Sequence, residues 1–170
     1  MFGMDLRPAG TLKAIILDQV RLLNATYMEA SYDGGNDEGG VSGVTLFREA
    51  SESSPAFVVK AKAEDYTLTE HFNSEEEAKN ADLSRYSYRK DLTPVVVRVT
   101  EGNVPMADPP GLDWEHVLWH AVDDLLSHDF GTWAGDFSAS GIVYADPASG
   151  RVWREGTMST YIDDPEAGEY

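Results

Sequence analysis

Residues 137–162 read FSASGIVYADPASGRVWREGTMSTYI, two runs of alternating polar and apolar side chains joined at Asp146-Pro-Ala-Ser-Gly150. Alternation with a period of two marks a half-buried strand, and Asp, Pro, Ser and Gly between two such runs form a turn, so the segment predicts a β-hairpin. A half-buried hairpin needs an apolar layer against which to bury its inner face. The segment before it supplies one. In WEHVLWHAVDDLLSHDF, Trp114, Val117, Leu118, Ala121, Val122 and Leu125 fall on one stripe at about 100° per residue, which predicts a helix over 113–129 with Asp113 as N-cap and an end near Gly131.

The same pattern occurs near the start of the chain. Leu12, Ile15, Ile16, Val20 and Leu23 recur at helical spacing after Pro8 and Gly10, with Thr11 as N-cap, predicting a helix over 11–24. Strands over 25–32 and 41–47 follow, joined across the Gly-rich stretch 33–40 into a hairpin with an acidic tip. Each helix has a single apolar stripe and precedes a strand pair. The expected fold is therefore α+β, a mostly antiparallel sheet with the helices packed on one face.

Residues 49–112 read as an insertion within a single domain spanning 1–170. It contains a strand over 56–65, a segment 65–72 that continues or returns that strand, and a polar surface helix opened by Ser74 and Glu77 at capping-box spacing. The β-branched run TPVVVRV, 93–99, predicts a buried strand, and the three prolines of 103–112 predict a linker loop. The acidic tail DDPEAGEY, 163–170, is expected to fray.

Charge narrows the function classes. The 170 residues carry 13 Lys+Arg against 30 Asp+Glu, a net charge of -17. Residues 101–170 hold fourteen acids and two bases, so most of the excess lies there. A surface of this sign repels phosphate backbones and disfavours direct binding of nucleic acid. It attracts basic protein surfaces. The chain has no cysteine, which excludes a disulfide framework, a thiol nucleophile and thiolate metal sites. No apolar run approaches the roughly 20 residues of a membrane helix, and MFGMDLRPAG lacks the regions of a secretory signal, so the expected compartment is the cytoplasm.

Two constellations could carry chemistry. Asp33, Asp37 and Glu38 stand among four glycines in YDGGNDEGG, hard oxygen donors of the kind that Ca²⁺ or Mg²⁺ takes, although the spacing is not that of an EF-hand. The same residues also suit a long hairpin turn, with Gly supplying positive φ. His116 and His120 are four apart and share a helix face, the spacing of a Zn²⁺ or Ni²⁺ pair, but Val117, Leu118 and Trp119 stand between them and no HExxH glutamate is present. Asp136 completes the candidate donors for a divalent cation. G-x-S-x-G, G-x-G-x-x-G and phosphate-loop motifs are absent.

Two motifs, Tyr32-Asp33-Gly34-Gly35-Asn36-Asp37-Glu38-Gly39-Gly40 and Gly131-Thr132-Trp133-Ala134-Gly135-Asp136-Phe137-Ser138-Ala139-Ser140-Gly141, occur in an order that resembles a small uncharacterised bacterial family of plasmids and other mobile elements. In that family a Tyr-Asp-Gly…Asp-Ser-Gly hairpin tip is followed by a Gly-Trp-Glu-Asn…Gly-x-x-Gly segment leading into a final hairpin. Here Glu38 replaces the Ser, and Ala134 and Gly135 stand at polar positions. The resemblance covers residues 11–48 and 113–162. It implies a shared fold and carries no activity with it.

The leading functional reading is a non-enzymatic interaction or inhibitory accessory protein that presents acids to a basic partner, in one version imitating phosphate charge. Asp123, Asp124 and Asp129 on the 113–129 helix are its candidate partner-binding residues. The alternative is a metal-dependent enzyme built on the acidic loop, Asp136, His116 and His120. Metal calorimetry and the salt sensitivity of a complex separate the two.

Overall fold

The computed structural model describes residues 6–63, 66–81, 93–107, 113–159 and 163–170. Within them the chain runs α1 (Ala9–Leu22), β1 (Tyr27–Gly35), β2 (Glu38–Glu49), β3 (Ala56–Ala63), β4 (Tyr66–Phe72), α2 (Glu75–Lys79), β5 (Thr93–Val99), β6 (Asn103–Pro105), α3 (Trp114–Phe130), β7 (Ser138–Asp146), β8 (Arg151–Ser159) and β9 (Asp163–Glu169). The class is α+β with antiparallel sheets. Contacts divide the chain into two compact units, Met1–Leu46 with Pro109–Tyr170, and Phe47–Asp108.

In the first unit the strand order is β2-β1-β7-β8-β9. β1 lies against β7 from Met28 opposite Ala145 to Gly35 opposite Ser138, and β7 against β8 from Ser138 opposite Ser159 to Asp146 opposite Arg151. One face is apolar: Met28, Ala30 and Tyr32 of β1, Ala139, Val143 and Ala145 of β7, and Val152 of β8 are buried. Leu12, Ile16, Leu17 and Val20 of α1 and Leu118, Ala121, Val122, Leu125 and Leu126 of α3 are buried with them. Asp113 stands at the N-cap of α3 as expected, but neither helix has a side-chain capping bond. α1 starts one turn earlier than Thr11 predicts, with Pro8 at the N-cap, and the Asp113 side chain makes no capping bond to α3. A cap contributes about 1 kcal/mol, whereas each fully buried Leu, Ile or Val contributes about 1.5–3 kcal/mol, so burial holds these helices in place.

The tail is the largest correction. Residues 163–169 form β9, paired along β8 from Ser159 opposite Asp163 to Trp153 opposite Glu169. The Tyr170 backbone then donates to the Val152 carbonyl at 2.9 Å, and Lys13 Nζ donates to the Tyr170 carbonyl at 3.0 Å. An edge strand rich in acids with a Pro in it is a sound edge, since it discourages further pairing.

The second unit contains the sheet β4-β3-β5, and the end of β2 pairs with β6, Phe47 opposite Pro105. β4 returns along β3, which settles the open reading of 65–72. Ser74 caps α2 by accepting from the Glu77 amide at 3.1 Å, but α2 stops at Lys79, short of the expected helical run SEEEAKNADLSRY (74–86), of which residues 82–86 lie outside the described residues. Two readings are corrected here. β5 is an edge strand with Val95 55% exposed, while Val58 and Val59 of central β3 are buried, so the β-branched run marked a strand without marking its burial. The first residues of the expected linker loop, Asn103–Pro105, form β6.

Candidate functional site

The β1–β2 turn is only two residues long. Asn36 and Asp37 adopt φ of 52° and 76°, the paired left-handed conformation that lets a hairpin turn follow the strand twist. The flanking glycines therefore do not form the long loop expected from the sequence. A Cβ on Gly34 would lie 2.5 Å from the Trp133 ring and one on Gly39 2.3 Å from it, so the two glycines form a seat for the indole. Trp133 itself is held at φ 63° after α3 ends, and its carbonyl accepts the Asp37 amide at 2.8 Å. Beneath it the rings of Phe130 and Trp133 stack at 4.6 Å, with Phe137 6.3 Å from Trp133.

This packing joins the two motif loops at one end of the sheet. Asp33, Asp37 and Glu38 from the hairpin and Asp136 from the segment before β7 are all exposed there. None of the four makes an ion pair among the described residues. An open concavity of about 940 Å³ runs beside the hairpin, lined by Asp33, Asn36, Glu38, Ser138, Ser140 and Ser159 among others. A smaller one of about 260 Å³ lies between Asn36, Asp136, Phe137, Ser138 and Ser159. Hydroxyls and carboxylates on a shallow polar surface accept hydrogen bonds and cations.

The remaining sequence candidates are placed elsewhere. His116 and His120 are exposed on α3 with ring centroids 4.2 Å apart, in edge contact, beside Glu115 and Asp123. Among the described residues no three His, Asp or Glu side chains come together in a group able to hold a metal ion. The three aspartates of α3 are committed within the protein. Asp123 accepts the Val41 amide at 2.8 Å, and burial is the main influence raising its pKa. Asp124 pairs with Arg7 at 3.0 Å. Asp129 receives Arg154 Nε at 2.9 Å and the Tyr170 hydroxyl.

That last cluster was not anticipated. Arg154 is 5% exposed, on the buried face of β8 between Val152 and Gly156. Its Nη2 donates to Glu166 of β9 at 2.9 Å, and its guanidinium lies 4.8 Å from the Phe130 ring centre. Burial alone would lower its pKa, but the bonds to Glu166 and Asp129 prevail and hold it above the ordinary value. The alternation of β8 contained the signal: continuing inward from Val152, it reaches one of the two basic residues in the last seventy. A buried guanidinium requires carboxylate partners.

Compared with family models, curated proteins and solved structures, the chain matches none.

Proposed function

We propose that this protein is a non-catalytic binding module that engages a basic protein surface through the acidic end of its first-unit sheet, acting as an accessory or inhibitory protein of a mobile element. The observation that supports it is the contrast between two sets of acids. Asp123, Asp124 and Asp129 are occupied by intramolecular partners, whereas Asp33, Asp37, Glu38 and Asp136 stand exposed together without ion pairs among the described residues. Unneutralised carboxylates gathered at one end of the sheet create a directed field that accelerates encounter with a cationic surface, and in its strongest form imitates a phosphate backbone. A divalent-cation enzyme would need at least three donors converging on one point, and among the described residues neither the His pair nor the hairpin acids form such a group, so the interaction reading is preferred.

The test is the association rate of a Lys/Arg-rich peptide with the wild type and with Asp33→Asn, Asp37→Asn, Glu38→Gln and Asp136→Asn combined. A marked slowing that disappears as salt rises supports the reading. An unchanged rate removes it.

A further inference from the structure

Beside the Arg154 cluster the first unit holds a cavity of about 490 Å³, open to solvent and bordered by Asp129 and Phe130 at the end of α3, Ala134, Asp136 and Phe137 before β7, and Met158 of β8. Its apolar walls follow from the sequence. Met158 continues the inward positions Val152 and Arg154 of β8, and Phe137 lies two residues before buried Ala139 of β7, but α3 has ended at Phe130 and both side chains remain half-buried. Gly135, at φ 122°, turns the intervening chain in a conformation that glycine adopts without strain, and Asp136 stands exposed after it. Phe130 is already buried, its ring centre 4.6 Å from that of Trp133 and 4.8 Å from the Arg154 guanidinium carbon. The accessible apolar surface is therefore that of Phe137, Met158 and Ala134.

The two carboxylates at this cavity differ in what they can still accept. Asp129 Oδ2 takes both Arg154 Nε and the Tyr170 hydroxyl, leaving Oδ1 without a hydrogen bond among the described residues. Asp136 makes no side-chain hydrogen bond or ion pair among them. Carboxylates beside apolar walls suit a side chain with an aliphatic stem and a cationic end, whose methylenes bury while the charge stays near water. An anion is opposed by both acids. A purely apolar side chain would fill the walls and strip water from Asp136 without returning a bond. Between the two cationic side chains, an arginine fork pairs best with both oxygens of one carboxylate, which Asp129 no longer offers. An ammonium is a point charge with three donors that single oxygens can share.

We propose that this cavity receives a lysine side chain of the basic protein partner, its methylenes against Met158 and Phe137 and its ammonium between Asp129 Oδ1 and Asp136. It rests on the reading of a basic partner and deepens it: the exposed acids steer the encounter, and the seated stem lengthens the residence.

The experiment follows the Met158 ε-methyl resonance of the full chain, assigned through Met158→Leu, during titration with n-butylammonium, methylammonium, n-butylguanidinium and n-butanol at matched ionic strength. n-Butylammonium reproduces the lysine side chain. Its three further methylenes, about half-buried in an open cavity, should make it bind about 8-fold more tightly than methylammonium. Asp136→Asn should weaken n-butylammonium about 3-fold and leave n-butanol unchanged. Equal binding of the two ammonium ions, n-butanol binding as well as n-butylammonium, or tighter binding of n-butylguanidinium each overturns the lysine seat. If those results accompany a peptide association rate that still falls when Asp33, Asp37 and Glu38 are neutralised, the basic-partner reading stands without this cavity. Stem-length dependence together with a peptide association rate indifferent to those three acids supports the seat and removes the steering. Met158 shifts that depend on protein concentration without any probe identify a second copy of this chain as the occupant and overturn the proposal.

Discussion

Arg154 is the residue on which the first unit depends most for its polar interior. It bridges α3 through Asp129 and β9 through Glu166, and Tyr170 joins the same Asp129 oxygen. Arg154→Met would keep the volume but leave both carboxylates without their cation. Breaking a buried pair in this way costs about 3–5 kcal/mol, and because these carboxylates reach solvent the expected loss is about 2–3 kcal/mol, read from urea denaturation. A stability loss under about 0.5 kcal/mol would show that the bridge contributes little. The tyrosines give a pH signature of defined sign. Tyr27 is raised to about 12 from 10, and Tyr170 is raised as well, by burial first and then by Asp129. A hydroxyl with a raised folded pKa contributes stability that is fully present below the unfolded value and is lost as pH climbs through the folded one. Urea midpoints should therefore hold to about pH 9 and fall between pH 10 and 12, with Tyr170→Phe reducing the fall.

At the scale of elements, Gly34 and Gly39 are there for Trp133. Gly39→Ala would push a methyl into the indole face, where the contact is 2.3 Å with no room to yield, and overpacking of this kind costs about 1–3 kcal/mol. Loss of stability together with altered near-ultraviolet dichroism is the expected result; a wild-type spectrum and stability would mean the seat is loose. The sequence showed the elements whose periodicity was strong: both long helices, the β7–β8 hairpin and the β1–β2 hairpin follow from apolar spacing and turn residues. It hid β9, because DDPEAGEY has no apolar alternation and its strand character comes from pairing with β8 and from Glu166 meeting Arg154. It misjudged Val95 because β-branching reports strand geometry equally at the edge and at the centre of a sheet. The union of the two motif loops was legible as a possibility, since both adjoin strands. The commitment of Asp123, Asp124 and Asp129 to internal partners was not, for only three-dimensional neighbours reveal which of thirty acids are neutralised.

For the whole molecule, a net charge of -17 has two consequences that must be told apart. Diffuse negative charge keeps a protein soluble and binds any polycation weakly, whereas a directed field depends on where the carboxylates stand. Mobile ions screen the field over about 8–10 Å near physiological ionic strength, so the acids nearest the contact dominate the encounter rate. The decisive measurement compares association rates of a Lys/Arg-rich peptide, at low and physiological salt, with two variants of equal net charge. One neutralises Asp33, Asp37, Glu38 and Asp136 at the sheet end. The other neutralises the exposed Glu49, Glu76, Glu77 and Glu101 of the second unit. The account predicts that the first variant associates roughly 10-fold more slowly than wild type at low salt, with the difference shrinking as salt rises, while the second stays within about 2-fold of wild type. Equal slowing in both variants would contradict it, because net charge rather than the acidic sheet end would then govern binding.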